Sequence, residues 1–371
     1  MNAVGGQGDL VAVLGGGQLG RMLGLAGVPL GLRFRFLDPA ADAPAGAVGP
    51  LVTGELGDET ALARVADGAS VVTYEWEGVP AAGARFVEAR GPEVLPPPAA
   101  LDVAQDRLAE KALFRRLGIG TPEFAAVDEP RDLDASLERI GLPAVLKTRR
   151  GGYDGKGQRV LRGADDADAA WEALTGVPLI LEQLVRFDRE LSILAVRGRD
   201  GATSHWPLVE NEHHDGILRV SRAPASDAGP ALEVRAAKYA AVVLDALEYV
   251  GVLAIELFQV GDDLLANELA PRVHNSGHWT IEGATTSQFE NHLRAIVGWP
   301  LGATDARAPA GMVNCIGALP DPSAVLAVPE AHLHDYGKTA RPERKLGHVT
   351  VLGSSAAQRD DRVRRVRALL P

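Results

Sequence analysis

Glu256 and Glu268 flank a short polar stretch, Gly261-Asp262-Asp263, that separates two apolar runs, Val252–Val260 and Leu264–Leu269. The runs read as the strands of a β-hairpin. With a three-residue loop, Val260 pairs with Leu264, and counting back sets Glu256 directly opposite Glu268 on one face. Like charges opposed across a sheet repel, so this pairing makes sense with a cation between them. Mg²⁺ that bridges substrate phosphates takes a few carboxylate oxygens of this kind. Asn267 belongs to the same end. A two-residue turn instead pairs Glu256 with Asn267 and sends Glu268 to the other face; we expect the first register.

Other segments carry groups suited to anions. Lys147 ends an apolar run, and Arg149-Arg150-Gly151-Gly152-Tyr153-Asp154-Gly155-Lys156-Gly157-Gln158 follows, crowded with glycine and cations. Such a loop can turn its amides onto a polyphosphate, although it lacks the Walker order and also fits a plain hairpin turn with exposed cations. Glu182 and Gln183 end another apolar run, a place where an adenine edge could be read. Downstream, Pro271-Arg272-Val273-His274-Asn275-Ser276-Gly277-His278 concentrates polar groups, and Arg272 can grip a phosphate through paired donors. The run Lys338 to Lys345 is cationic within an acidic chain and reads as a solvated loop or a second phosphate clamp. Near the start, Gly15-Gly16-Gly17-Gln18-Leu19-Gly20 fits the G-x-G-x-x-G pattern after a strand, with Asp38 ending the next one. This is the fingerprint of a dinucleotide site, and equally a strand–helix turn offering amides to another phosphate.

The elements that position these groups divide the chain. Short apolar runs at Leu10–Leu14, Leu32–Leu37 and Ala69–Tyr74, with a helix-like Leu19–Ala26, have the rhythm of βαβ units and a parallel sheet. Leu95-Pro96-Pro97-Pro98 breaks that rhythm and places a boundary near residue 103. Beyond it a helix is expected over Asp102–Leu117, then strands at Ala144–Thr148, Leu179–Gln183 and Glu190–Val196, an α+β pattern. A long helix over Leu232–Tyr249 leads into the hairpin, and a basic helix, Asp360–Leu370, closes the chain with its charges on a solvated face. The 371 residues suit two or three lobes with a cleft between them. With 38 Lys and Arg against 49 Asp and Glu, a net charge of −11, nucleic acid is an unsuited partner. Cys315 is the single cysteine, in an apolar setting, so there is no internal disulfide and a reducing, cytoplasmic location is expected. No stretch reaches the roughly 20 apolar residues of a membrane span.

Together these segments resemble the N5-carboxyaminoimidazole ribonucleotide synthases, ATP-grasp ligases of purine synthesis. The resemblance covers nearly the whole chain, and its most specific parts are Arg149–Gln158, His214–Arg219 and Asn267–Trp279. It implies an ATP-grasp fold of the α/β and α+β classes. An N-terminal Rossmann-like parallel-sheet domain (1–103) precedes the ATP-grasp domain (104–300, with a mobile lid near 125–190) and a small C-terminal domain (301–371). It implies ATP-, bicarbonate- and Mg²⁺-dependent carboxylation of 5-aminoimidazole ribonucleotide in a homodimer.

The resemblance also assigns roles. ATP is expected to touch Arg107, Lys147, the loop Gly152, Tyr153, Asp154, Gly155, Lys156, Gly157 and Gln158, the hinge Glu182, Gln183, Leu184 and Val185, then Glu190, His213, Asn267 and Glu268. Glu256 and Glu268 hold the metal. Gly17, Gln18, Leu19, Glu75, Arg272, His274, Asn275, Lys338, Arg344 and Lys345 face the ribonucleotide, which displaces the dehydrogenase reading of the glycine loop. Tyr153, Asp154, Lys338 and Arg272 are the candidates nearest the reacting groups. The family's Tyr-Glu-Phe-Glu-Asn pattern appears here as Tyr74-Glu75-Trp76-Glu77-Gly78, so any role of that Asn has no counterpart.

Overall fold

A computed structural model describes residues 8–152, 157–163, 165–174 and 176–371. Among the described residues the strands form three sheets. The first is parallel, in the order Leu51–Thr53, Arg33–Asp38, Leu10–Leu14, Val71–Tyr74. Its central strand is buried, with Val11 to Leu14 at 0% exposure, as expected of a parallel sheet covered on both faces.

The second sheet is antiparallel and carries the hairpin at its edge. From that edge run Asp263–Ala270, Gly251–Val260, Arg189–Arg197, Val209–His214, Ile217–Ala223, Ala310–Ile316, Lys345–Leu352 and Ala331–Asp335, with Thr203–His205 on the side of Arg189–Arg197. The third sheet, Phe124–Val127, Leu179–Gln183, Ala144–Thr148 and Gln158–Leu161, has its own apolar core of Leu133, Leu146, Leu161, Ala170 and Leu181. No helix among the described residues is long and apolar enough to cross a membrane.

The helix expected over Asp102–Leu117 is two helices, Pro98–Ala104 and Arg107–Arg116. Asp106 breaks it by leaving helical geometry and capping the second helix, its carboxylate accepting from the amides of Leu108 and Ala109. The long helix spans Pro230–Ala246, and the C-terminal one starts earlier than expected, at Ala356, on a Ser355 cap. Its Arg359 is buried, donating to the Pro224 carbonyl, whereas Arg364 stays exposed beside Asp361. Cys315 is buried and free.

The first two sheets share one core, in which Val13, Phe34 and Phe36 meet Leu194, Val196 and Trp206 across the helix Gln288–Val297. His292 of that helix fastens the junction. The backbone amide of Val252 can only donate, so Nδ1 accepts from it at 3.1 Å, and Nε2 carries the hydrogen to Thr73 Oγ1 at 2.9 Å. Gly251, at φ +122°, brings the chain against this ring, and a Cβ there would lie 3.1 Å from it.

Burial pushes His292 down from 6.5 to about 3. Because the folded value lies below the unfolded one, the stability it contributes is complete above pH 6.5 and lost as pH falls toward 3. Replacing His292 by Leu leaves a buried N–H and a hydroxyl unpaired and should cost about 2–4 kcal/mol at pH 7. The variant should also lose about 1.4 kcal/mol per pH unit less than the wild type on acidification below 6.5. Urea midpoints followed by circular dichroism from pH 7 to 4.5 measure both quantities.

Candidate active site

The hairpin reaches the expected opposition by an unexpected route. Its turn has two residues, Gly261 and Asp262, so Val260 pairs with Asp263 rather than Leu264. Left there, the count would put Glu256 opposite Asn267. A β-bulge intervenes: Leu257 pairs with Ala266 and Glu256 with Glu268, leaving Asn267 as the extra residue. Directly opposed residues share a face, so the two carboxylates meet. Burial, and then the charge of Glu268, push the Glu256 carboxyl up to about 8.

That face continues as a polar stripe across the sheet. Ser192 lies opposite Glu256, Glu190 is two residues before it, Asn211 pairs with Glu190, and Ser221 with Asn211. The Ser221 hydroxyl donates to Asn211 Oδ1 at 2.8 Å, Asn211 Nδ2 to Ser192 Oγ at 3.0 Å, and Ser192 Oγ to Ser276 Oγ at 2.8 Å. Ser276 Oγ lies 2.9 Å from His274 Nδ1, which also accepts from the Ser276 amide. His274 therefore carries its hydrogen on Nε2, 3.3 Å from Glu256 Oε1. Burial, with Arg272 and Lys345 nearby, holds His274 well below its usual range, so it is a neutral donor. His213 Nδ1 is 2.5 Å from Glu190 Oε2; burial opposes its charge, but that hydrogen bond and the nearby acids raise it overall.

The residues expected to face the nucleotide lie where the third sheet meets the hairpin. Lys147 pairs with Gln158 across neighbouring strands, and its amine donates to Glu182 Oε2 at 3.0 Å. Burial alone would raise Glu182, yet Lys111, Lys147 and Arg107 bring it down to about 2. Arg107 spans the gap, 3.4 Å from Glu268 Oε2 and donating to the Gly152 carbonyl at 2.9 Å. Gln183 and Leu184 are exposed, Val185 is half-buried, and Gly157 takes a left-handed φ of +69°. Tyr153, Asp154, Gly155 and Lys156 lie outside the described residues.

The glycine loop is filled from within the protein. Glu75 accepts from the amides of Gly17 and Gly20, each at 2.9 Å, and Asp38 accepts from Gly16 at 2.9 Å. A Cβ on Gly15 would sit 2.6 Å from Glu75, which is why that position has no side chain. These amides face carboxylates, the arrangement a pyrophosphate would need to displace, and so the dinucleotide fingerprint has a structural purpose here. Leu19 packs into the core, which leaves only its backbone for a ligand. Gln18 contacts Lys338, and Gly17, Asp38, Lys338, Thr339 and Arg344 line a cavity of about 140 Å³, so Lys338 and Arg344 lie beside the glycine loop while residues 339–343 between them are exposed. Burial pushes Lys338 down to about 8. Asn275 accepts from Asn314 at 3.0 Å, and the charge of Lys345 is felt by Glu77, Glu256 and His274.

Four participants escaped the sequence reading. Glu77 is the ion-pair partner of Arg272, while Glu110, Lys111 and Asp106 come from the helix region beside the hairpin. The periodic Arg107, Glu110, Lys111 spacing was the available signal, one helix face carrying three charges. Gly78 has a local explanation: a Cβ there would meet the Trp76 ring at 2.3 Å, so the indole occupies the space a side chain at 78 would take. Among the described residues no group of three or more His, Cys, Asp or Glu is arranged to hold a metal ion, which leaves the two-carboxylate pair as the candidate.

Known proteins share this architecture along the whole chain. Residues 9–105 match the ribonucleotide synthetase preATP-grasp domain, 112–289 the ATP-grasp domain, and 310–362 the phosphoribosylaminoimidazole carboxylase C-terminal domain. N5-carboxyaminoimidazole ribonucleotide synthase of Pseudomonas aeruginosa is 51% identical over 360 residues, 97% of this chain and 99% of that protein. The crystal structure of the Thermus thermophilus synthetase superposes with a TM-score of 0.94 at 56% identity, covering 97% of this chain and 98% of that one. The Aspergillus clavatus synthase, solved with ADP and 5-aminoimidazole ribonucleotide, superposes with a TM-score of 0.92 at 33% identity over 98% of each chain. With identity this high over lengths this complete, and with all three domains in order, the chain belongs to the N5-carboxyaminoimidazole ribonucleotide synthase family of ATP-grasp enzymes.

Proposed function

We propose that the chain carries out its family's purine-biosynthetic step as an ATP- and bicarbonate-dependent carboxylation of 5-aminoimidazole ribonucleotide, with the opposed Glu256 and Glu268 at its centre. The observation that carries this reading is the junction of three groups: the carboxylate pair, the Lys147–Glu182–Lys111 cluster, and Arg107 joining the two. The pair would suit Mg²⁺ because two opposed carboxylates offer anionic oxygens whose mutual repulsion a cation relieves. When bound, the ion neutralises charge on the transferring phosphoryl group.

In this reading the adenine edge lies along Glu182–Val185 and the phosphates between Lys147 and Glu268. A bicarbonate oxygen attacks the γ-phosphorus, the bond to ADP breaks, and carboxyphosphate forms, with Lys147 and Arg107 balancing the charge. Carboxyphosphate splits into phosphate and CO₂, and the exocyclic amine of the ribonucleotide attacks the CO₂ carbon and gives up a proton. Closure of the lid, near 125–190, keeps water from the carboxyphosphate. The ribonucleotide rests over the glycine loop, held by Lys338, Arg344, Lys345 and Arg272, whose orientation Glu77 fixes. We place the lobe boundaries near residues 103 and 300 and expect a homodimer.

Glu268→Gln should lower turnover about a hundredfold or more, the loss of several kcal/mol of charge stabilisation, with an unchanged melting temperature. Full activity in that variant would refute the metal assignment. Lys338 offers a second check through pH. Its amine sits near 8 and is read as a cation that holds an anion, so kcat/KM for the ribonucleotide should fall as pH rises through 8. Lys338→Arg, whose guanidinium keeps its charge, should move that alkaline limb upward; a limb unchanged by the substitution assigns it to another group.

A further inference from the structure

The strand Asp263–Ala270 lies at the edge of its sheet, where outward backbone groups have no strand to pair with. The Gly120 carbonyl accepts from the Ala266 amide at 2.7 Å and the Tyr239 hydroxyl lies 3.4 Å from the Leu264 carbonyl, while the helix Arg107–Arg116 supplies partners at the bulge. Glu110 Oε1 accepts from the Leu269 amide at 2.5 Å, and Lys111 Nζ donates to the Asn267 carbonyl at 2.6 Å and lies 3.4 Å from that of Ala266. Arg107, one turn earlier on the same face, reaches the carboxylate of Glu268 itself. The residues on both sides of Glu268 are therefore held by their backbone, and one of them is the extra residue of the bulge.

Glu110 and Lys111 are 2% and 1% exposed. Burying two ionisable groups side by side is unfavourable unless each is bonded, and both are bonded to this bulge. Lys111 also lies 3.5 Å from Glu182, the acid that Lys147 contacts. Without the bulge, the two-residue turn would place Glu268 on the far face, since a one-residue slip reverses every side chain of a strand.

We propose that Glu110 and Lys111 are positioning residues for the carboxylate pair: they hold the Asn267 bulge in the register that sets Glu268 opposite Glu256, and Lys111 ties that register to the nucleotide side through Glu182. This rests on the reading of the pair as the metal site. The two residues act through Asn267, Glu268 and Leu269. Glutamine keeps an accepting oxygen in the same place, so it can retain the bond from the Leu269 amide.

The test is phosphate release against Mg²⁺ concentration, at saturating ATP, bicarbonate and ribonucleotide, for the full chain and the variants Glu110→Leu, Glu110→Gln, Lys111→Met and Glu268→Gln. Glu110→Leu and Lys111→Met should raise the half-saturating Mg²⁺ concentration by about 10- to 100-fold, the usual effect of removing a group that orients a ligand. Glu110→Gln should stay near the wild type. A contact that served stability alone would lower the melting temperature and the yield of active enzyme and leave the Mg²⁺ dependence in place. An unchanged Mg²⁺ dependence in folded Glu110→Leu overturns the proposal; if Glu268→Gln shifts it nonetheless, the metal reading survives, and if Glu268→Gln also leaves it unchanged, that reading fails as well. Should Lys111→Met not fold, the Glu110 pair of variants decides.

Discussion

Two carboxylates opposed on facing strands about 5 Å apart would, if both were ionised, repel by about 3 kcal/mol at an effective dielectric near 20. Glu256 and Glu268 are built into that position, and much of the surrounding structure is organised to keep them there. A bulge sets the register, His274 hydrogen-bonds one acid, and Arg107 approaches the other. The protein thus sets two acids against each other where the third sheet meets the hairpin, and burial together with the charge of Glu268 holds the Glu256 carboxyl near 8. In the proposed function a cation together with a polyphosphate would relieve that opposition.

On the side proposed for the ribonucleotide, carboxylates act in the opposite sense. Glu75 and Asp38 occupy amides of the glycine loop, and Lys338 and Arg344 line the cavity beside it. Arg272 links the two halves: it is paired with Glu77 beside the glycine loop and follows directly on the hairpin strand that carries Glu268. His292 then fixes the first sheet to the second, which keeps the distance between the halves from drifting. Positioning is the common theme, as the proposed reaction requires, since CO₂ released from carboxyphosphate has to meet the amine before it escapes.

Much of this was legible in the chain because it rests on local rules. Strands and helices followed from periodicity, and the hairpin carboxylates from counting. Yet the expected opposition of Glu256 and Glu268 came from a three-residue turn, whereas the protein uses a two-residue turn and a compensating bulge. The bulge has no local signature; it is held by Glu110 and Lys111, some 155 to 159 residues away. Distance in sequence explains the other gaps too. The glycine fingerprint gave no warning that Glu75, 55 residues beyond Gly20, would occupy its amides, and Leu19 looked available until its side chain was placed in the core. The break at Asp106 was readable as an N-cap, but the continuous apolar pattern around it favoured one long helix.

Whether one cation bridges the opposed acids can be seen directly. Crystals grown with ADP and Mn²⁺ in place of Mg²⁺, measured at the manganese absorption edge, locate the ion. An anomalous peak within coordination distance of an oxygen of Glu256 and an oxygen of Glu268 is expected. A peak bound to the phosphates and clear of both carboxylates would contradict the bridging role.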